Sequence, residues 1–180
     1  MKTTATASPF SVRRATMDDL AAIEEIYNEA GIATTASFEL APRSVEEAQA
    51  WFDAHGPAYP IFVAVRDGRV IGWASLSPYS PMAAYRYTVE DSVYVHSGFR
   101  RHGVGHALLA AVVEAAAALG YRAVVAKIVA GNEASLALHR KAGFVPVGKL
   151  VGVGYKFDRW LDVDLLELFL PAGADSPPAG

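Results

Sequence analysis

The stretch Arg100-Arg101-His102-Gly103-Val104-Gly105-His106 decides how this chain is read. An extended run at residues 88–95 leads into it and an apolar-periodic helix follows it. A basic, glycine-rich turn between a strand and a helix aims several backbone N–H groups at one spot. The positive end of the helix dipole lies behind that spot. Gly103 and Gly105 carry no Cβ, so the turn can tighten and a ligand can come close to the backbone. Arg100 and Arg101 add positive charge beside those donors. The turn therefore suits a phosphate or pyrophosphate, although the same residues can also form an ordinary surface turn. Two known phosphate loops are excluded. A Walker loop needs Lys-Ser/Thr after its last glycine, where His106 stands. A dinucleotide fingerprint needs a third small residue where Leu108 stands. What remains is Arg-x-x-Gly-x-Gly on a strand-to-helix turn.

Downstream of the turn, Val104, Leu108, Ala111, Val112, Ala115 and Leu119 recur at helical spacing, and Gly120 ends the helix. Residues 121–129 read as a continuous apolar strand buried on both faces. Asn132 caps a further helix that Gly143 closes, residues 144–147 are extended, and a last strand covers 163–170. Upstream, residues 10–14 form a short strand. Thr16 and Asp18 open a helix whose apolar face is Ile23, Ile26 and Tyr27. Residues 31–42 are a polar, Thr-rich loop carrying Phe38. Ser44-Val45-Glu46-Glu47 is a capping box for a helix to about His55. Runs at 61–65 and 70–76 flank Asp67-Gly68, a strong hairpin signal. Residues 79–86 are an irregular, proline-containing link. Helices packing on a mixed sheet, with no internal repeat and no linker, give a single α/β layer domain over residues 10–170, with flexible ends at 1–9 and 171–180.

A chain of 180 residues with 52% hydrophobic content can bury one sizeable core and is not disordered. A net charge of −3 argues against a nucleic-acid binder. There are no cysteines, which excludes disulfides, thiol catalysis and Cys-ligated metals. The first residues lack the apolar segment of a secretory signal, and no apolar run reaches membrane-spanning length. A cytoplasmic protein that binds no membrane is the expectation. His96, His102 and His106 cluster near the turn but lack the carboxylate companion of a metal motif, so no metal is expected.

Candidate chemistry centres on residues 88–95. Alternation places Glu90, Ser92 and Tyr94 on one face and Val89, Val93 and Val95 on the other. Asp91 falls among the valines, an awkward place for a carboxylate that a β-bulge would relieve. Glu90, at the sheet centre and upstream of the basic turn, is a candidate general base; it can also be a sheet-edge glutamate facing water or pairing with Arg86. Asn132, Ser135 and His139 form one stripe of the following helix. Asn132 is a natural N-cap, Ser135 can bond a ligand or simply the backbone, and His139 is a catalyst or a satisfied histidine.

Asn132-x-x-Ser135-x-x-x-His139-x-x-x-Gly143-Phe144, together with the Arg-x-x-Gly-x-Gly loop, resembles the two cofactor segments of the GNAT superfamily of N-acetyltransferases. Tyr85-x-x-Thr88-x-Glu90-x-Ser92-Val93-Tyr94-Val95 and Val153-Gly154-Tyr155-Lys156-Phe157-Asp158-Arg159-Trp160-Leu161-Asp162 are similar to the phosphinothricin and methionine sulfoximine/sulfone acetyltransferase subgroup. Trp51-Phe52 and Tyr59-Pro60 agree, so the likeness runs over roughly residues 11–170. It implies a mixed, mostly antiparallel six- or seven-stranded sheet with helices on both faces and two central strands splayed apart. Acetyl-CoA would lie in the splay, its pantetheine on the backbone of Val93, Tyr94 and Val95. Its pyrophosphate would meet Arg100, Arg101, His102, Gly103, Val104, Gly105 and His106, with Asn132 and Ser135 nearby. Glu90 maps to the general base and His139 to the active-site histidine. Phe38, Tyr85, Arg86, Thr88 and Ser92 would line the site of a small amino-acid-like acceptor, and a homodimer is implied. Chemistry would be direct transfer to an amine, with a backbone N–H near Val95 facing the developing oxyanion. Another amine (a polyamine or a peptide N-terminus) and a non-catalytic acetyl-CoA-binding module are the alternatives. Two positions depart from the subgroup. Met82-Ala83-Ala84 stands where relatives carry a basic residue, leaving Arg86 to serve, and Asp158 replaces a usual glycine.

Overall fold

The computed structural model describes residues 9–170; apart from residue 9, the ends expected to be flexible lie outside the described residues. Seven strands make one sheet: β1 (Ser11–Arg14), β2 (Ile61–Arg66), β3 (Arg69–Pro78), β4 (Thr88–Val95), β5 (Ala123–Val129), β6 (Val145–Lys156) and β7 (Arg159–Phe169). Their order is β1-β2-β3-β4-β5-β7-β6. β4 and β5 run parallel, and every other neighbouring pair is antiparallel. The mixed, mostly antiparallel α/β sheet expected from the sequence is present.

Local chemistry explains the elements the sequence announces. Ser44 Oγ accepts from the Glu47 N–H at 3.2 Å, and Glu47 Oε2 accepts from the Ser44 N–H at 2.8 Å. This reciprocal cap starts helix α2 (Val45–Ala54). Asp67 and Gly68 both have positive φ, 50° and 75°, as a two-residue hairpin turn requires. Asp19 accepts two hydrogen bonds from Arg13, at 2.7 and 2.8 Å, and one from the Thr16 N–H at 2.8 Å. It thereby fixes the short 3₁₀ turn that leads into helix α1 (Leu20–Tyr27). The helical path then continues through a wider π turn, Asn28–Ile32, that buries Ala30, Gly31 and Ile32. The loop therefore begins later than the expected residue 31.

Helices cover both faces of the sheet. On one face α1 and α2 pack Ile23, Ile26 and Tyr27, with Trp51 and Phe52, against Val63 and Trp73. On the other, helix α3 (Val104–Ala118) and helix α4 (Glu133–Lys141) pack Leu108, Leu109, Val112 and Leu136 against Ile71, Leu76, Val124, Ala126 and Leu166. Leu108, Leu109 and Val112 have no exposure at all, and burying each stabilises the fold by about 1.5–3 kcal/mol. Among the described residues no helix is long and apolar enough to cross a membrane.

Three expectations are corrected. No bulge interrupts β4, whose register with β3 is continuous from Val89↔Pro78 to Val95↔Gly72; the irregularity falls instead between Ala64 and Val65 of β2. β5 is not buried on both faces, because Lys127 breaks the apolar run and is exposed. The last strands are far longer than residues 144–147 and 163–170: β6 and β7 form a hairpin across residues 145–169. Its turn is Phe157-Asp158, both left-handed at φ 52° and 57°. Neither residue is a usual choice for such a turn, although Asp tolerates the region better than most. Asp158→Gly should remove this conformational cost and raise stability by up to about 1 kcal/mol. The check is the urea midpoint, and a lower midpoint would mean that the Asp158 side chain makes a compensating contact.

Candidate active site

The ladder between β4 and β5 is short. It joins Thr88↔Ala123, Val89↔Val124 and Glu90↔Val125, and stops there. β4 nevertheless continues to Val95 along β3, and β5 continues to Val129 along β7. The two central strands therefore part after Glu90. Residues 91–95 have no ladder partner on the β5 side, so backbone groups in the opening remain available to a ligand.

α3 begins beyond the end of β4. Its N-cap is Gly103 at φ 80°, and no side chain caps the first turn. The first N–H groups of a 15-residue helix are thus left for an anion. Arg101 is also left-handed, at φ 65°, which costs a non-glycine residue about 1–2 kcal/mol, a strain of the kind that recurs at ligand-binding turns. Arg100 is pinned by its Nε donating to the Val95 carbonyl at 3.3 Å, and His102 Nδ1 donates to the Arg100 carbonyl at 2.7 Å. The two glycines serve different ends. A Cβ on Gly103 would meet nothing within 4 Å, so glycine is needed there for its φ; a Cβ on Gly105 would touch Leu138 at 3.4 Å and Val95 at 3.6 Å.

Consecutive residues of β4 send their carboxylates to opposite faces. Glu90 faces the α1 and α2 side, where its Oε2 lies 2.6 Å from Lys127 Nζ. It does not pair with Arg86, whose guanidinium lies over the Tyr87 ring and donates to the Ala83 carbonyl. Lys127 Nζ also sits 5.4 Å from the centre of the Tyr79 ring, and Tyr79 meets Tyr85 edge-on at 5.2 Å. Thr88 and Ser92 flank Glu90 on the same face of β4. Tyr94 turns its ring into the aromatic cluster of Tyr27 and Trp73, and burial pushes its hydroxyl pKa up.

Asp91 points the other way and is almost fully buried with His139, their side chains 1% and 4% exposed. His139 Nε2 lies 2.9 Å from Asp91 Oδ2, and His139 Nδ1 lies 2.8 Å from the Ser135 carbonyl oxygen. Both ring nitrogens face acceptors, an arrangement that favours the doubly protonated ring paired with the Asp91 carboxylate. Burial works against that charge. The hydrogen bond that His139 donates to Asp91, the negative charge of Asp91 and the Ser135 carbonyl outweigh burial, and the His139 pKa is raised. His139 therefore offers no lone pair to a substrate here, and it does not contact Glu90. Asn132 spends its side-chain oxygen capping α4, accepting from the Ser135 N–H at 3.2 Å.

The loop at residues 33–42 is clasped from several sides. Lys156 Nζ, on β6, donates to the Ser37 carbonyl at 2.7 Å; Tyr27 and Ser37 share a hydroxyl bond at 2.6 Å; Tyr94 donates to the Ala36 carbonyl at 3.3 Å. Burial lowers the Lys156 pKa, against a smaller opposing effect of Glu39. Phe38 lies on Gly154, where a Cβ would collide with its ring.

Lys127, Tyr79 and the Asp91–His139 pair were missed in the sequence. Lys127 was legible as the one charge within the apolar run 123–129. Asp91 and His139 are 48 residues apart, and the misplaced carboxylate among valines was the only sign of a partner.

Parted central strands below an uncapped helix N-terminus are the frame of an acyl-transferring enzyme of the GNAT type. The chain belongs to the acetyltransferase (GNAT) family, whose sequence profile matches residues 20–144. It is 43% identical over 169 residues to an L-methionine sulfoximine/L-methionine sulfone acetyltransferase of Pseudomonas aeruginosa, covering 93% of this chain and 98% of that one. It is 40% identical over 173 residues to a phosphinothricin N-acetyltransferase of Alcaligenes faecalis, covering 93% and 86%. A crystal structure of a phosphinothricin acetyltransferase from Sinorhizobium meliloti in complex with acetyl-CoA superposes with a TM-score of 0.88 at 37% identity, over 95% of this chain and 94% of that one.

The buried pair has a pH signature. A raised His139 pKa in the folded state means that its contribution is fully present below the unfolded value of about 6.5. The contribution is lost as pH rises through the raised folded value. Asp91→Asn should therefore destabilise the protein by about 3 kcal/mol near pH 6 and by progressively less at higher pH. Urea unfolding of both proteins across that range is the check, and a pH-independent difference would contradict the charged pair.

Proposed function

We propose that residues 10–170 form one catalytic domain that moves the acetyl group of acetyl-CoA to the α-amine of a small amino-acid analogue. Phosphinothricin and methionine sulfoximine or sulfone are the acceptors suggested by the names of its relatives, and detoxification, including herbicide resistance, is the corresponding role. The observation that carries this reading is the parting of β4 and β5 at Glu90, directly upstream of an uncapped helix N-terminus. Acetyl-CoA supplies an activated acyl carbonyl. The backbone edge of Val93, Tyr94 and Val95, which has no ladder partner on the β5 side, suits its pantetheine. The N–H groups of residues 103–106, with Arg100, Arg101 and His102, suit its pyrophosphate.

An amino acid's ammonium cannot attack a carbonyl until it loses a proton. Glu90, at the start of the opening and partly reached by solvent, takes that proton directly or through one water. Tyr85, Thr88, Ser92 and Phe38 line the acceptor side, and the clasped loop at residues 33–42 limits water entry. His139 acts by position, tying α4 to β4 through Asp91 and so holding the two cofactor segments together. A backbone N–H near Val95 serves the developing oxyanion. Alignment of amine and thioester supplies much of the acceleration. The exposed Val151, Val153, Tyr155, Phe157 and Trp160 on the β6–β7 hairpin support a homodimer, and the reading places it in the cytoplasm.

The test is CoA release from acetyl-CoA with phosphinothricin, methionine sulfoximine, methionine sulfone, spermidine and a short peptide in parallel, for the wild type and Glu90→Gln. Saturable turnover confined to the first three, and a loss of about 100-fold or more in kcat for the variant with acetyl-CoA affinity retained, is the expected result. Turnover with spermidine or peptide alone would overturn the acceptor. Silence with all five alongside tight acetyl-CoA binding would overturn catalysis in favour of a binding module.

A further inference from the structure

Lys127 lies two residues beyond Val125, the partner of Glu90 across the parallel pair, and so occupies the first step of β5 after the strands have parted. Val124, Ala126 and Ile128 turn to the core on the α3 face, which leaves Lys127 on the Glu90 face of the sheet. Its ammonium is 2.6 Å from Glu90, with side-chain exposures of 41% and 26%. An ion pair this open to water contributes little to stability and is readily exchanged. Its position explains it better: it stands at the acceptor side of the opening, over Tyr79.

An α-amino acid carries an ammonium and a carboxylate on one carbon, a pair of charges that mirrors Glu90 and Lys127. Resting on the acetyltransferase reading, we infer that Lys127 is the carboxylate-binding residue of the acceptor site, and that Glu90 and Lys127 together select zwitterionic α-amino acids. Binding exchanges one ion pair for two. The acceptor ammonium replaces Lys127 at Glu90, where its proton is to be removed, and the acceptor carboxylate takes the freed lysine ammonium. No charge is left unpaired, so the cost of shedding water is offset on both sides. A polyamine offers no carboxylate and would meet Lys127 as a like charge, so the same residue works against it. This assignment also fills the gap left by Met82-Ala83-Ala84, since Arg86 is turned toward Tyr87 and the Ala83 carbonyl.

The test compares methionine sulfoximine with its methyl ester, in which the carboxylate is masked, using wild type, Lys127→Met and Lys127→Arg with saturating acetyl-CoA. The expected result is a rise of about ten-fold or more in KM for the free acid in Lys127→Met, as befits loss of a charge-assisted contact. KM for the ester should move far less, and Lys127→Arg should recover most of the loss for the acid. An equal change for acid and ester, or no change for the acid, would overturn the assignment while leaving the acetyltransferase reading intact. A wild type that acetylates neither compound would overturn both.

Discussion

The structure depends on the point at which β4 and β5 stop pairing. Two adjacent strands in the middle of a sheet normally satisfy one another's backbone groups along their length. Here the shared ladder ends at Glu90↔Val125, and the separation is tolerated because each strand keeps a full partner on its other side. β3 holds β4 to Val95, and β7 holds β5 to Val129. α3 packs Val104 and Leu108 against the same strands, which sets its free N-terminus beyond the end of β4. A strand edge without a ladder partner, a left-handed glycine turn and a helix dipole thus follow one another from Asp91 through Gly103 into α3.

The same alternation divides the chemistry between the two faces. Glu90 and Asp91 are neighbours, yet each finds a different cation and a different environment. Asp91 with His139 is sealed, doubly hydrogen-bonded at the imidazole, and acts as a structural tie between β4 and α4. Removing one partner of such a pair costs several kcal/mol because a buried charge is left behind. Glu90 with Lys127 is open to solvent and adds at most about 1 kcal/mol. The solvent-open pair stands on the α1 and α2 face, and the sealed pair lies behind it on the α3 and α4 face.

Much of this was legible in the sequence because the signals were local. The Ser44 to Glu47 cap, the Asp67-Gly68 turn, the period of α3 and the span of β4 all rest on residues close in the chain. The β6–β7 hairpin was not, since Phe157-Asp158 does not resemble a left-handed turn and the Val-Gly alternation of residues 151–154 weakens a strand signal. Asp91 was seen as a conflict, but the solution was a side chain on a distant helix rather than a bulge. Lys127 was overlooked because six apolar or small neighbours dominate the reading of its strand; the packing of Val124, Ala126 and Ile128 into the core decides which face it presents.

Amide hydrogen exchange with and without acetyl-CoA tests the central claim most directly, because it asks which backbone groups the ligand takes up. Slowed exchange confined to residues 91–95 and 103–106, with β1 and β2 unchanged, is the result the parted-strand account predicts. Protection elsewhere in the sheet, or tight binding that leaves those two segments exchanging as before, would contradict it.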